Sequence, residues 1–431
     1  MNNLAVALND ALEGTVVPRV LSDLGRRMYF PKGIVAQSAE ATEKAHRFNA
    51  TVGMAYADGH PLTLPLMREL TGDLPTEESV AYAPTAGVPA LRDRWLQEMI
   101  RKNPTLEGVV ATRPSVVPGL TAGLSVVGDL FADTDDVLLL PDLFWGNYRL
   151  MFGERRQTQL REFAFFDDHG AFNRAAFAEG ARSAAGAGKL MVMLNFPNNP
   201  AGFTPTDEDA TFIRDTLVSL ADSVPVIVIC DDAYFGLFYD DAAFRHSLFS
   251  LLAASHANLL AIKVDGATKE DFAWGFRVGF VTVAFKGMTT DHAAALEQKL
   301  NGAIRSMVSN SSRLSQSLIL RALNDPRYEE QKGAAFDLLS RRYATLQDIL
   351  REQAEQRRAP MLEPLPCNSG YFMSFRCRGV NAEDLRRALL ERGVGTIAVR
   401  DEYLRVAFAG IDAQDLPALY EEIFLAAEQL V

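Results

Sequence analysis

Val224-Pro225-Val226-Ile227-Val228-Ile229-Cys230-Asp231-Asp232-Ala233-Tyr234 decides the fold class. The apolar run is too short for an ordinary helix. Its β-branched bias and lack of alternation describe a strand buried on both faces, the kind that fills parallel sheets. Working outward, similar short apolar runs cover residues 136–140, 189–194, 259–264 and 277–284, with amphipathic helical patterns between them. That alternation predicts an α/β chain with a mostly parallel sheet. Open α/β sheets bind ligands beyond the carboxyl ends of their strands, so Asp231, which closes its run, is the first candidate functional residue.

Other stretches flank this strand in a telling order. Asn198-Asn199-Pro200-Ala201-Gly202 precedes it, and Val264-Asp265-Gly266-Ala267-Thr268-Lys269 follows, with Arg277 beyond. A basic amine, an arginine, a carboxylate with a nearby tyrosine, and an Asn-Pro-x-Gly turn together describe a pocket for pyridoxal 5'-phosphate. The aldehyde of that cofactor needs a primary amine that bonds to it and later serves as a base, the work of a lysine with a lowered pKa. Lys269 fits that role. The cofactor ring withdraws electrons only while its nitrogen is protonated, and a buried carboxylate opposite that nitrogen favours the charged form. Asp231 fits that one.

On these motifs the chain resembles the class I/II aminotransferases of the aspartate aminotransferase superfamily, pyridoxal phosphate enzymes of fold type I. The resemblance covers most of the chain. It implies a large domain built on a mostly parallel seven-stranded sheet and a smaller α/β domain. Residues 1–62 would join the small domain, 63–324 form the large cofactor-binding domain, and 325–431 complete the small one. It further implies that Lys269 carries the cofactor covalently, Asp231 pairs with the pyridine nitrogen, Tyr234 and Asn199 hydrogen-bond the ring hydroxyl, and Arg277 holds the phosphate. Pro141-Asp142-Leu143-Phe144-Trp145-Gly146-Asn147-Tyr148 resembles the family segment that stacks a tryptophan on the cofactor, which assigns stacking to Trp145. Gly119-Leu120-Thr121 falls where the family has its phosphate-binding turn, ahead of an expected helix over 122–130 whose first N–H groups favour an anion. Two departures stand out. Gly266 occupies the place where many relatives carry a hydroxyl residue, leaving the phosphate to Thr121, Arg277, backbone donors and, as a substitute hydroxyl, Thr268. Leu120 sits in a turn where a small residue is usual, so contact there would run through the main chain.

Substrate recognition would rest on Arg405, in Tyr403-Leu404-Arg405-Val406-Ala407-Phe408, which matches the family arginine that forks onto the substrate α-carboxylate. Its alternative is a surface arginine on an edge strand. Gly53 resembles the glycine whose backbone lines the substrate site, or is an ordinary loop glycine. The segment around Arg305 resembles that in which dicarboxylate-using relatives present an arginine to the distal carboxylate. Tyr82, in Tyr82-Ala83-Pro84-Thr85-Ala86-Gly87, resembles a tyrosine that reaches the phosphate of the neighbouring subunit; otherwise it packs locally before a turn. Shared active sites would make the assembly a two-fold homodimer, with Arg305 also crossing the interface.

Composition agrees. A chain of 431 residues exceeds what one core usually supports, so about two domains are expected. Lys+Arg 43 against Asp+Glu 55 gives a net charge of −12 with no long basic run, which argues against nucleic-acid binding. Cys230, Cys367 and Cys377 are too few and too irregular for a disulfide framework or a cysteine-rich zinc site, and no metal is expected. The N-terminus lacks a basic leader and no apolar run approaches the ~20 residues of a membrane span, so a soluble cytoplasmic protein is expected. Thr206, followed by three acids, reads as a helix N-cap; residues 171–188 read as helix and turn. After Pro326, helices dominate until a strand over 370–375, then a final α/β piece.

Three activities fit these residues. In the favoured one, transamination by a ping-pong mechanism, Lys269 moves the α-proton of an amino acid and a second 2-oxo acid takes up the nitrogen. A lyase or decarboxylase on the same scaffold is the alternative, since cofactor-binding residues do not fix which bond breaks. A ligand-sensing regulator would need a DNA-binding module. The segment before Phe48 is too short and shows no clear helix-turn-helix.

Overall fold

The structure, a computed structural model, describes residues 1–13, 15, 17, 21–29, 33–72 and 74–430. Seven strands form the main sheet: β1 (Ser115–Val117), β2 (Val137–Pro141), β3 (Gln159–Phe163), β4 (Leu190–Asn195), β5 (Val226–Asp231), β6 (Leu259–Gly266) and β7 (Gly279–Ala284). Their spatial order is β1-β7-β6-β5-β4-β2-β3, and β7 alone runs antiparallel to its neighbours. The mostly parallel seven-stranded sheet expected from the resemblance is therefore present.

The central strands are buried along their whole length, as continuous apolar runs require when both faces are covered. Helices supply the cover. Those used below are α1 (Ile34–Lys44), α2 (Pro89–Lys102), α3 (Leu120–Phe131), α4 (Arg174–Ala185), α5 (Asp207–Ala221), α6 (Thr290–Val308) and α7 (Tyr328–Gln356). Thr206 caps α5 as expected, its hydroxyl accepting from the Asp209 N–H while the Asp209 carboxylate answers the Thr206 N–H. A second sheet, in the order β8 (Leu362–Pro364), β9 (Met373–Cys377), β11 (Tyr403–Val406), β10 (Ile397–Val399), is antiparallel and has its own apolar cluster. Phe48–Asn49 pairs in parallel with Val394–Gly395, bringing the N-terminal segment beside the C-terminal part.

Register places the site. Asn195 stands opposite Asp231, Asp231 opposite Val264, and Gly266 opposite Gly279. The carboxyl ends of β4, β5 and β6 therefore share one edge with the amino end of β7. The loops bearing Asn199, Lys269 and Arg277 all spring from that edge, where Asp231 ends β5.

Several boundaries differ from expectation. The strand foreseen over 277–284 starts at Gly279, because Arg277 is in the left-handed region (φ 53°) after a short 3-10 turn, Trp274–Phe276. The helix foreseen over 122–130 begins two residues earlier, at Leu120. The strand foreseen over 370–375 lies at Met373–Cys377, and β8 interrupts the stretch read as helical. β1 and β3 were not foreseen: β1 has three residues, and β3 is a half-exposed edge strand with charged positions and no continuous apolar run.

Candidate active site

A cleft of about 320 Å³ opens at the shared strand edge. Lys269, Asp231, Tyr234, Asn199, Arg277, Thr121, Leu120, Trp145, Gly53 and Arg405, all singled out in the sequence, line it.

Asp231 is the last residue of β5 and is almost fully buried. One carboxylate oxygen accepts the Tyr148 hydroxyl at 2.5 Å and the other accepts the Ala233 N–H at 3.1 Å. Burial raises its pKa, while the Tyr148 hydrogen bond, Lys269 and the Ala233 N–H pull the other way. Asn195 on β4 braces the strand end, donating to the Asp231 carbonyl at 2.8 Å and accepting the Asn199 N–H at 2.9 Å. Beyond it, both Phe196-Pro197 and Asn199-Pro200 are cis. Gly202 closes that turn at φ 74°, where a Cβ would lie 1.9 Å from the Phe372 carbonyl oxygen, so glycine is required on both counts.

Lys269 follows β6 and is partly exposed along the cleft, with its amine 5.0 Å from the centre of the Tyr234 ring. Desolvation holds that amine down to about 8; Asp231 opposes the shift and Arg277 adds to it. An amine held there is neutral in roughly a tenth of molecules at pH 7, far more often than an ordinary lysine, which suits a nucleophile or base. The Tyr371 hydroxyl donates to the Lys269 carbonyl at 2.8 Å and fixes the loop.

Arg277 and the start of α3 make an anion cradle. Gly119 is the N-cap of α3 at φ 84°, and a Cβ there would come 2.4 Å from the Arg277 guanidinium. Gly119 thus lets the arginine lie against the start of the helix, an end that favours an anion. The Thr268 hydroxyl, also on the cleft, is buried without a partner. An arginine, free helix N–H groups and an orphaned hydroxyl suit a phosphate.

Arg405 is central in its sheet, not a surface residue: it is 2% exposed, on β11 opposite Ser374 of β9. It donates to Asn199 Oδ1 at 3.1 Å and to the Thr51 carbonyl at 2.8 Å, and lies 4.2 Å over the Phe372 ring. Its Nε is buried without a partner, and burial lowers its pKa to about 10, with Tyr234 opposing. Gly53 lies close to the Phe372 and Tyr234 rings.

Two expected residues lie apart from the cleft within this chain. Tyr82 is 91% exposed, and Arg305, in the last turn of α6, is exposed and donates to Ser309 Oγ at 2.5 Å. Sequence reasoning in turn passed over Tyr148, Asn195, Ile34 and Ser38. Tyr148 stands three residues after Trp145, and the two rings meet edge to face at 5.6 Å, so nearness in sequence to Trp145 was the available signal. Ile34 and Ser38 enter the cleft from α1, and no local motif marks them.

Among the described residues no group of three or more His, Cys, Asp or Glu side chains is placed to hold a metal ion. No helix of theirs is long and apolar enough to cross a membrane.

Residues 54–423 match the family model for aminotransferase class I and II, and the chain belongs to that family. It is 24% identical over 262 residues to a probable aspartate/prephenate aminotransferase of Aquifex aeolicus, covering 59% of each chain. It is 23% identical over 385 residues to the aspartate/prephenate aminotransferase of Thermus thermophilus, covering 86% of this chain and 89% of that one. The chain spans about three-fifths of the length of the first of these relatives. Among solved structures, an aminotransferase from Anaerococcus prevotii superposes with a TM-score of 0.82 at 21% identity, over 94% of this chain and 98% of that one. The aspartate aminotransferase of Thermus thermophilus with maleate gives 0.75 at 19% identity, over 94% and 99%. At these identities the superpositions establish the shared fold.

Proposed function

We propose that the protein is a pyridoxal 5'-phosphate-dependent aminotransferase that moves an amino group between an amino acid and a 2-oxo acid. The observation that carries this reading is one cleft holding a low-pKa amine, a buried carboxylate, an anion cradle and a buried, carboxylate-free arginine. The cofactor fits these groups: Lys269 for its aldehyde, Asp231 for its ring nitrogen, Arg277, Thr121, Thr268 and the Gly119-Leu120 backbone for its phosphate, and Trp145 for its ring face. Tyr234 and Asn199 are assigned to the ring hydroxyl.

Once bound, the cofactor supplies an electron sink for charge developing at the substrate α-carbon. The chain does the rest. Arg405 orients the amino acid by its α-carboxylate. Lys269 would serve as the base that takes the α-proton and gives it back. Asp231 would favour a protonated ring nitrogen, and the Tyr148 hydroxyl holds that carboxylate in place. The second half runs the same steps backwards on another 2-oxo acid.

We assign residues 1–62 and 325–431 to a small domain and 63–324 to the cofactor domain, and the working assembly to a cytoplasmic homodimer. In that dimer Tyr82 and Arg305 serve the neighbouring subunit, Arg305 toward a second substrate carboxylate. Their exposure on this chain supports that placement.

The test mixes cofactor-loaded protein with a panel of amino acids and follows conversion of the cofactor to its aminated form by absorbance. Conversion with release of the matching 2-oxo acid is expected, and borohydride should fix the cofactor to Lys269. Label on another lysine, or release of carbon dioxide in place of the 2-oxo acid, would overturn the reading.

A further inference from the structure

Two carboxylates follow directly after Lys269, and unscreened negative charge so near an amine would favour its protonated form. Neither carboxylate lines the cleft that Lys269 enters, and each pairs with an ammonium group, although Asp271 Oδ2 is left buried without a hydrogen bond. Glu270 packs against Gly236, where a Cβ would lie 2.7 Å from its Oε1, and that oxygen accepts from Lys102 and Lys332, each at 2.7 Å. Asp271 Oδ1 accepts from Lys332 at 2.8 Å and from the Tyr328 hydroxyl at 2.5 Å. The two ammonium groups come from different elements, Lys102 from the end of α2 and Lys332 from the start of α7. Other charges nearby are engaged as well. Lys102 lies 5.8 Å from the Trp95 ring, whose N–H donates to Asp265 at 3.2 Å, and Glu98 is held by Arg94 and Arg101. The groups facing Lys269 itself are Asp231, Arg277 and the Tyr234 ring.

We propose that Lys332 and Lys102 are positioning residues for Lys269: they pin and neutralise Glu270 and Asp271, so that the reacting amine is screened from two adjacent negative charges. The inference rests on Lys269 being the reacting amine. Burial alone would raise the Glu270 pKa, but the two ammonium groups outweigh it and hold the carboxyl low. The same contacts give Lys332 a mechanical role. Ten residues further along α7, Arg342 donates to the Ala409 and Tyr56 carbonyls and pairs with Asp412. One helix thus grips the loop behind Lys269 and the segment just beyond Arg405.

The test is competitive acetylation of the full-length, cofactor-free chain across pH 6 to 11 (~0.5-unit steps, enough to resolve the expected shift), reading Lys269 by peptide mass spectrometry against exposed Lys299. The parent should give a Lys269 midpoint near 8. Lys332→Met and Lys102→Met should each move it upward by about half to one pH unit. Lys332→Arg should keep the parental midpoint. Adding Glu270→Gln and Asp271→Asn to Lys332→Met should restore it, because the charges being screened are then gone. If Lys332→Met does not fold, Lys102→Met decides. A midpoint unmoved by loss of either lysine, whatever happens to thermal stability, overturns the proposal. A parental midpoint equal to that of Lys299 would instead overturn the assignment of Lys269 as the reacting amine.

Discussion

Replacing Arg405 by methionine separates what this residue does for the fold from what it does for a ligand. Burial holds its guanidinium down to about 10, against an ordinary 12.5. Keeping the charge there therefore costs on the order of 3 kcal/mol, at about 1.4 kcal/mol for each pKa unit. Against that stand its hydrogen bonds to Asn199 and Thr51, each worth about 1.5–3 kcal/mol as a bond from a charged donor. Methionine fills much of the same space over Phe372, and cleft water can reach the freed acceptors. The two sides nearly cancel, so urea unfolding of the cofactor-free variant should give a stability within about 2 kcal/mol of the parent. Binding should not cancel. Loss of the fork should cost about 2–5 kcal/mol of substrate affinity in the transition state, roughly thirty-fold to a few thousand-fold in kcat/KM for every amino acid alike. A non-reacting carboxylate at about a hundred times its Kd should stabilise the parent by roughly 2.7 kcal/mol and the variant hardly at all. Ligand stabilisation that survives in Arg405→Met, or a variant that fails to fold, would refute this account and make Arg405 a structural residue.

Other substitutions test the remaining parts of the cleft. Lys269 has a folded pKa of about 8, below its ordinary 10.5, so between those values the folded chain binds fewer protons than the unfolded one and stability rises with pH. Any advantage of Lys269→Met in the cofactor-free protein, at most about 3 kcal/mol near pH 7, should therefore fade toward about pH 10.5; a constant difference in urea unfolding would contradict the burial argument. Tyr148→Phe removes a hydrogen bond to Asp231 worth about 1.5–3 kcal/mol, so the acidic limb of the pH–rate profile should move to higher pH with the fold intact. An unmoved limb would show that Tyr148 only packs. Gly202→Ala forces a side chain against the Phe372 carbonyl at positive φ, and should cost about 1–3 kcal/mol in strain, read as a lower Tm; a parental Tm would refute the stated necessity. Arg305→Ala should lower efficiency toward aspartate or glutamate by roughly thirty-fold while sparing alanine and phenylalanine. A uniform loss would assign Arg305 to the interface instead of to a distal carboxylate.

What the sequence revealed here depended on whether chemistry and fold converged on short segments. β5 was legible because both of its faces are buried, which leaves a continuous apolar run, and Asp231 was legible because it ends that run. β3 was not, since an edge strand needs no continuous run and Gln159–Phe163 has none. Asn199, Lys269 and Arg277 lie on loops whose spacing from strands is local, so they could be placed before any coordinates. Ile34, Ser38 and Tyr148 reach the cleft only through packing between distant segments, which no spacing rule encodes. Tyr82 and Arg305 mark a further boundary: any role they share in this cleft runs through a second copy of the chain.

Buried charge separates the working residues from the structural ones only when its compensation is considered. Lys263 lies within β6 and Lys269 three residues beyond its end, and burial works against the charge of both. Lys263 is fully buried against Asp232, with Asp265 at 3.4 Å, and those carboxylates outweigh the burial that would lower its pKa and push it up instead. Its charge is settled and serves the core. Lys269 has no carboxylate within ion-pair distance among the described residues; nor does Arg405, and burial lowers both. A chain gains nothing in stability by leaving a desolvated cation unpaired. Two such cations line one cleft together with a buried carboxylate whose own pKa is raised, an arrangement that fits a site whose missing partners a ligand would bring. A bound phosphate-bearing aldehyde with a cationic ring and a substrate carboxylate would supply, between them, the complement of each uncompensated group. The first-order test of that reasoning is additive. Cofactor and carboxylate ligand should each raise Tm, and Asp231→Asn should diminish the gain from the first while leaving the gain from the second intact. Equal loss of both gains would mean that Asp231 supports the cleft as a whole, without a specific partner in it.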